Sequence, residues 1–298
     1  MLRLTVGKSG NEDYYYISEA LNAVPYNEEA EIYIKEGIYR EKLFSDKKNL
    51  RLIGEGNVLI TYSDFGREKV ELGKKRGTFR SYTAFFSGEK LYMENITIEN
   101  SAGDGSRVGQ AIALYLDAED AYLKDVKLIG AQDTLFISPL PESEREIGGF
   151  YGPRAFNPRK LTRNIFENCY VEGNIDFIFG SGNALFKDSL IVIKGKGYIT
   201  APSTDKNDIG FVFYNSTLKS IDGGDETFIM RPWRQYGKIT LISSRIEGVF
   251  NNSLWTHWPG REAEKSDALC AFYSVDRCGD DITKLSEEEA NRILSYFS

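Results

Sequence analysis

The sequence predicts an all-β protein, a parallel β-helix of stacked coils, on three observations. A short motif recurs: two or three strand-forming residues, a small polar residue, then a second strand-like stretch. It reads Leu91-Tyr-Met-Glu-Asn95-Ile-Thr-Ile98, Tyr122-Leu-Lys-Asp125-Val-Lys-Leu128 and Ile165-Phe-Glu-Asn168-Cys-Tyr-Val171. It returns as Leu185-Phe-Lys-Asp188-Ser-Leu-Ile191, Val212-Phe-Tyr-Asn215-Ser-Thr-Leu218 and Thr240-Leu-Ile-Ser243-Ser-Arg-Ile246. The polar positions 95, 125, 168, 188, 215 and 243 are 30, 43, 20, 27 and 28 residues apart. Such periods indicate a stacked array and exceed the roughly 8–12-residue spacing of a β-sandwich. Tyrosine and phenylalanine, 18 each, favour sheet.

The repeat has a physical logic. One coil cannot bury its apolar face alone, whereas stacked coils share one core. Asn, Asp and Ser tolerate the backbone of a tight bend and bond to neighbouring backbone groups.

Taken in order, Tyr16 to Val24, stopped by Pro25, has helical spacing and is placed to seal the first coil. Gly37-Ile-Tyr39-Arg-Glu41 reads as a turn into the first full coil. Arg67 to Arg80, with Lys74-Lys75-Arg76, reads as a loop. Ser138 to Lys160, rich in proline and glycine, is an insertion that accounts for the 43-residue step. Long loops on a solenoid cluster on the binding face. Ser286-Glu-Glu-Glu289 is a capping box opening a helix through Ala290, Ile293 and Leu294, read as the second end cap. No linker or composition break appears, so residues 1–298 form one domain.

Composition narrows the function. A net charge of −7 argues against nucleic acid as partner. The three cysteines, Cys169, Cys270 and Cys278, are too few and odd in number to read as a disulfide framework, the one alternative being a Cys270–Cys278 bridge in an oxidising compartment. The N-terminus has no apolar signal region and no membrane-length apolar run follows, so the chain as written is expected in the cytoplasm; a removed leader would make it secreted. The chain has one histidine, His257, which removes most Ser-His-Asp and Cys-His arrangements and histidine-rich zinc sites. His257 itself reads as structural. Carboxylates remain. Asp176 lies in the apolar run Asn174-Ile-Asp-Phe-Ile-Phe-Gly180, and Asp133 in Gly130-Ala-Gln-Asp-Thr-Leu135. Burying an unpaired charge costs several kcal/mol, so each needs a reason.

Five segments occur in order: Gly37 to Glu41, Gln110-Ala-Ile-Ala-Leu114, Gln132-Asp133-Thr-Leu135, Asp176-Phe-Ile-Phe-Gly180 and Arg231-Pro-Trp233. Together they resemble the pectin methylesterase family, which removes methyl groups from esterified polygalacturonate on a right-handed parallel β-helix. The resemblance runs from about Tyr16 to about Trp258. It implies Asp176 as nucleophile, Asp133 as general acid and base, Gln110 and Gln132 as anion hole, Arg231 as the holder of Asp176, and Trp233 as a sugar contact. Tyr151 and Phe156, from the insertion, are further candidates for substrate contact. The chemistry needs no metal or organic cofactor. The implied partner is methyl-esterified polygalacturonate or its oligomers, bound by a monomer without nucleic acid or membrane.

The residues are suited to these roles. A carboxylate nucleophile must be ionised, which a bidentate arginine favours. Its partner must hold a proton for the leaving methoxide, and burial beside a second carboxylate raises its pKa. Two departures stand out. The spacing from Asp133 to Asp176 is longer than in plant members, and Ala268 to Asp276 matches the C-terminal strand only loosely. A polygalacturonase or pectate lyase on the same fold, or a non-catalytic carbohydrate-binding β-helix, are the alternatives. The first two need a histidine-containing set or calcium-binding acidic clusters that are not visible, and the third would have lost one of Asp133, Asp176, Gln132 or Arg231.

Overall fold

A computed structural model describes residues 1–70, 73–258 and 267–298. The chain winds through successive coils, each adding strands to three parallel stacks. In the first, Tyr92 pairs with Tyr122, then Ile165, Leu185, Val212 and Thr240 follow in register. In the second, Ile98 pairs with Leu128, followed by Val171, Ile191, Leu218 and Ile246. In the third, the order is Phe44, Phe85, Tyr115, Phe136, Phe179 and Ala201. Every one of these pairings is parallel. This is a β-helix.

The recurring polar residues form the bend between the first and second stacks. Asn95, Asp125, Asn168, Asp188, Asn215 and Ser243 all have φ between 47° and 55°. Asn, Asp and, less readily, Ser tolerate this left-handed conformation, which explains the residue types of the repeat. Asn168 donates to the Asp125 carboxylate and Asn215 to that of Asp188, joining neighbouring coils. One position further on, the chain turns inward. There the Cys169, Ser189 and Ser216 N–H groups donate to the hydroxyls of Ser189, Ser216 and Ser244 at 3.0, 2.9 and 3.0 Å. These bonds satisfy buried N–H groups at a bend.

The first cap forms as the spacing predicts. A helix spans Ile17–Ala23 and buries Ile17, Ala20 and Leu21 in the main core. Its N-terminus is held by Glu41, whose carboxylate accepts from Ile17 N at 3.0 Å, Ser18 N at 2.9 Å and Ser18 Oγ at 2.6 Å. A buried carboxylate on free helical N–H groups also matches the helix dipole. The Gly37–Glu41 segment therefore ties the cap to the first coils.

The second cap needs correcting. The helix Glu287–Ser295 opens with the Ser286–Glu289 capping box, but it does not close the last coil. Ala290 and Phe297 pack onto Leu185, Val212 and Ile242, the outward positions of the first stack. Those side chains are apolar, and covering them removes their surface from water. The last coil instead ends on Leu269–Tyr273, in register with Lys238–Ile242, with the short strand Thr283–Lys284 beyond it. The loosely matching C-terminal segment is thus a regular rung.

On the third stack the outward residues form an aromatic ladder. Phe44 to Phe85, Phe85 to Tyr115, Tyr115 to Phe136 and Phe136 to Phe179 have ring centroids 4.9, 4.9, 4.7 and 4.9 Å apart. Two loops cover it. Phe79 and Tyr82 come from the end of the Arg67–Arg80 loop and the residues just after it, and Leu140 and Phe150 from the Ser138–Lys160 insertion. The insertion is tied to the coils by Arg154 to Asp117 and Arg159 to Asp205, both at 2.8 Å, and its two ends are joined by Arg159 Nε donating to the Leu140 carbonyl at 2.8 Å.

Candidate active site

The stack that carries the aromatic ladder also sets the site. Gln132 pairs with Ile175 and Leu135 with Ile178, so Asp133 and Asp176 occupy equivalent positions on adjacent coils. Adjacent strands lie about 4.8 Å apart, which brings the two carboxylates into one site from 43 residues away in sequence. Both aspartates are left-handed, with φ 65° and 51°, and the pairing register shifts between Ile175 and Ile178. Such a bend re-aims a side chain out of the strand. Gly180 closes the second motif: its φ is +128° and a Cβ there would lie 1.9 Å from the Ile137 carbonyl oxygen. Only glycine allows the two coils to approach so closely.

Gln110 comes from the preceding coil, where Ala111 N donates to the Gln132 carbonyl at 3.0 Å. Arg231 comes from two coils further on, where its N–H donates to the Thr200 carbonyl at 3.0 Å. Four coils thus contribute Gln110, Gln132 with Asp133, Asp176, and Arg231. These five side chains line one cavity of about 340 Å³ with Thr78, Phe79, Phe150, Trp233 and Trp258.

The carboxylates are buried, Asp133 at 7% exposure and Asp176 at 5%. Arg231 distinguishes them. Its Nε donates to Asp176 Oδ1 at 2.8 Å and its Nη2 to Oδ2 at 2.5 Å. The guanidinium is held between two aromatic faces, 3.9 Å from the Tyr198 ring centroid and 3.7 Å from that of Trp258. Burial pushes both carboxyls above the usual range. For Asp133 the shift is large, and the charge of Asp176 adds to it. For Asp176 the hydrogen-bonded Arg231 cation opposes burial. Of the pair, Asp176 is the better placed to hold the charge and Asp133 to hold the proton.

Trp233 lines the cavity and is half-buried. Its ring packs near Phe79, Phe179 and Phe150 at 6.5, 6.0 and 6.2 Å, and the Arg234 guanidinium lies 4.6 Å from its centroid. Tyr151 and Phe156 do not join it. They are 52% and 89% exposed and lie outside the cavity wall. Phe150 turns inward onto Phe79, whereas Tyr151 stays at the surface beside Phe156, their ring centroids 6.4 Å apart. His257 touches Trp255 edge-on at 5.1 Å and does not line the cavity. The three cysteines are unpaired.

Phe79, Phe150, Tyr198 and Trp258 are the site residues that sequence reasoning missed. Phe79 lies in the short 3-10 turn Thr78–Arg80 and Phe150 in an irregular loop, and neither segment has a periodicity that assigns a side chain to a face. Tyr198 and Trp258 hold Arg231, which is distant from both in sequence, and Trp258 also lines the cavity.

The sequence profile of the family described as Pectinesterase matches residues 3–145 and 159–275. Pectinesterase 31 of Arabidopsis thaliana is 27% identical over 285 residues, which cover 92% of this chain and 81% of that protein. Probable pectinesterase/pectinesterase inhibitor 6 of the same plant is 30% identical across 91% of this chain, which spans only 45% of that longer protein. Among solved structures, pectin methylesterase from carrot superposes with a TM-score of 0.79 at 25% identity, covering 96% of this chain and 89% of that one.

Proposed function

The chain belongs to the pectinesterase family and is a carboxylic ester hydrolase that removes methyl esters from pectin, and we propose that it does so with Asp176 as nucleophile and Asp133 as acid and base. The observation that carries this assignment is the bidentate Arg231 pair on Asp176, with no equivalent cation hydrogen-bonded to Asp133 among the described residues.

An ionised Asp176 oxygen attacks the C6 carbonyl of a methyl galacturonate unit. Negative charge moves to the carbonyl oxygen, where the amide N–H groups of Gln110 and Gln132 are suitable donors. Losing one such donor costs about 2.7–4 kcal/mol of transition-state stabilisation. As the tetrahedral centre collapses, the C6–OCH₃ bond breaks and the Asp133 proton passes to the leaving oxygen, giving methanol. The acyl-enzyme is an anhydride between Asp176 and the sugar carboxyl. Asp133, now ionised, takes a proton from water, whose oxygen attacks the acyl carbon. Collapse releases Asp176 and the free galacturonate, and Asp133 is protonated again.

The substrate reading is a galacturonate chain lying across Trp233, with the insertion narrowing one end of the cleft. Residues Glu146, Gly149 and Phe150 of that insertion line the cavity and support this. The three unpaired cysteines suit a reducing compartment, and recovery of the protein from culture medium would count against that part. Methanol release from methylated polygalacturonate, with neither new reducing ends nor unsaturated product, tests the reaction. Asp176→Asn and Asp133→Asn test the roles. Each should lose at least about 10²-fold in kcat with the fold intact, and a tenth of wild-type kcat in either would sink the assignment.

A further inference from the structure

We propose that Gly66 and Gly105 are positioning residues for the two glutamine amides, each providing the backbone wall against which one amide is set. This rests on the proposed role of Gln110 and Gln132 as donors to the oxyanion. The two glycines lie in separate segments ahead of the catalytic coils. Gly66 follows the strand Asn49–Tyr62, and its N–H donates to the Gln110 carbonyl at 2.7 Å. A Cβ on Gly66 would lie 2.9 Å from Gln110 Oε1, 3.3 Å from Gln110 O and 3.6 Å from its Cβ. Gly105 is buried and opens the single helical turn Gly105–Val108, capped by Asp104. A Cβ on Gly105 would lie 2.7 Å from Gln132 Cβ and 3.1 Å from its Oε1.

Backbone conformation does not explain either glycine. Neither lies in the left-handed region, unlike Gly73, Gly77, Gly103 and Gly109 around them. Alanine could adopt both backbones, and in a helical turn it is intrinsically better than glycine. What glycine supplies at both places is space, and in both the neighbour is the side chain of a proposed oxyanion donor. The oxygen end of the Gln110 amide rests against Gly66, which leaves its NH₂ end for the cavity. A methyl group at position 66 displaces that amide. An oxyanion donor works within about 2.7–3.1 Å of the developing charge, so a displacement of a few tenths of an ångström is enough to weaken it.

The test is a kinetic cycle on methylated oligogalacturonide with Gly66→Ala, Gln110→Ala and the double variant. Gly66→Ala should lower kcat at least about tenfold with KM within about twofold, the mark of an interaction made in the transition state. Gln110→Ala removes the amide that the new methyl would strike. Adding Gly66→Ala to it should change kcat by less than about twofold. An equal loss in both backgrounds would assign Gly66 a plain structural role and overturn the inference. So would an unchanged kcat for Gly66→Ala when Gln110→Ala lowers it. Full kcat in Gln110→Ala would instead overturn the oxyanion role, and this inference with it. If Gly66→Ala does not fold, Gly105→Ala with Gln132→Gly runs the same cycle at the other amide, and the same outcomes decide.

Discussion

Replacing Arg231 by methionine removes the guanidinium while leaving an unbranched side chain to fill the space between Tyr198 and Trp258. In the wild type, Arg231 makes two hydrogen bonds to Asp176, and the paired side chains are only 11% and 7% exposed. Removing one partner of a buried pair strands the other charge, at about 3–5 kcal/mol. Asp176 escapes that penalty by taking up a proton, and a protonated carboxyl is not a nucleophile. At about 1.36 kcal/mol per factor of ten, kcat/KM at neutral pH should fall on the order of 10²- to 10⁴-fold. The sign for pH follows from the same argument. Arg231 favours the charged form of Asp176, so its loss raises the apparent pKa and moves the acidic limb of the kcat/KM profile to higher pH. Arg231→Lys keeps the charge but not the fork and should fall between. The assay is methanol release across pH, with thermal unfolding to confirm that the variant is folded. A variant that keeps a tenth of wild-type kcat/KM, or whose acidic limb coincides with wild type, would refute the reasoning.

Three further outcomes are expected. Burial and Asp176 raise the carboxyl of Asp133 in the folded state, so its ionisation costs stability as pH rises above the ordinary value of 3.8. Asp133→Asn should therefore raise Tm at pH 7 by a gap that closes toward that value; a lower Tm, or a gap independent of pH, would contradict it. Trp233→Ala removes cavity wall without touching the reacting groups, and should reduce kcat/KM chiefly through KM; a fall confined to kcat would argue against sugar contact. With the insertion reaching the cleft, kcat/KM per ester should be higher on short methylated oligogalacturonides than on long pectin, and shortening residues 146–158 should narrow the difference; a preference for polymer in the intact chain would remove the reading.

The coil positions were legible because the bends have local chemical requirements. Asn95, Asp125, Asn168, Asp188, Asn215 and Ser243 each sit at φ near 50°, so the residue type marks the turn without reference to any partner. Asp133 and Asp176 were legible because a carboxylate in an apolar run is costly and therefore conspicuous. The helix Glu287–Ser295 shows where such reasoning stops. Its capping box predicted that it would form, but its destination depended on Leu185, Val212 and Ile242, three coils' worth of outward apolar positions that become one surface only after stacking.

The sequence by itself therefore determined the repeat, the bends, the first cap and the five chemical groups of the site, all of which rest on interactions within a few residues or on the family's motifs. The family's motifs also implied that Arg231 holds Asp176, which the two hydrogen bonds bear out. Only the tertiary structure decided that Tyr198 and Trp258 sandwich Arg231, and that Phe150 rather than Tyr151 or Phe156 enters the cavity wall. The physical reason is that stacking turns a fixed step of about 4.8 Å between coils into contacts between distant residues, while loops without a period leave each side chain's direction to whatever surface they fold against.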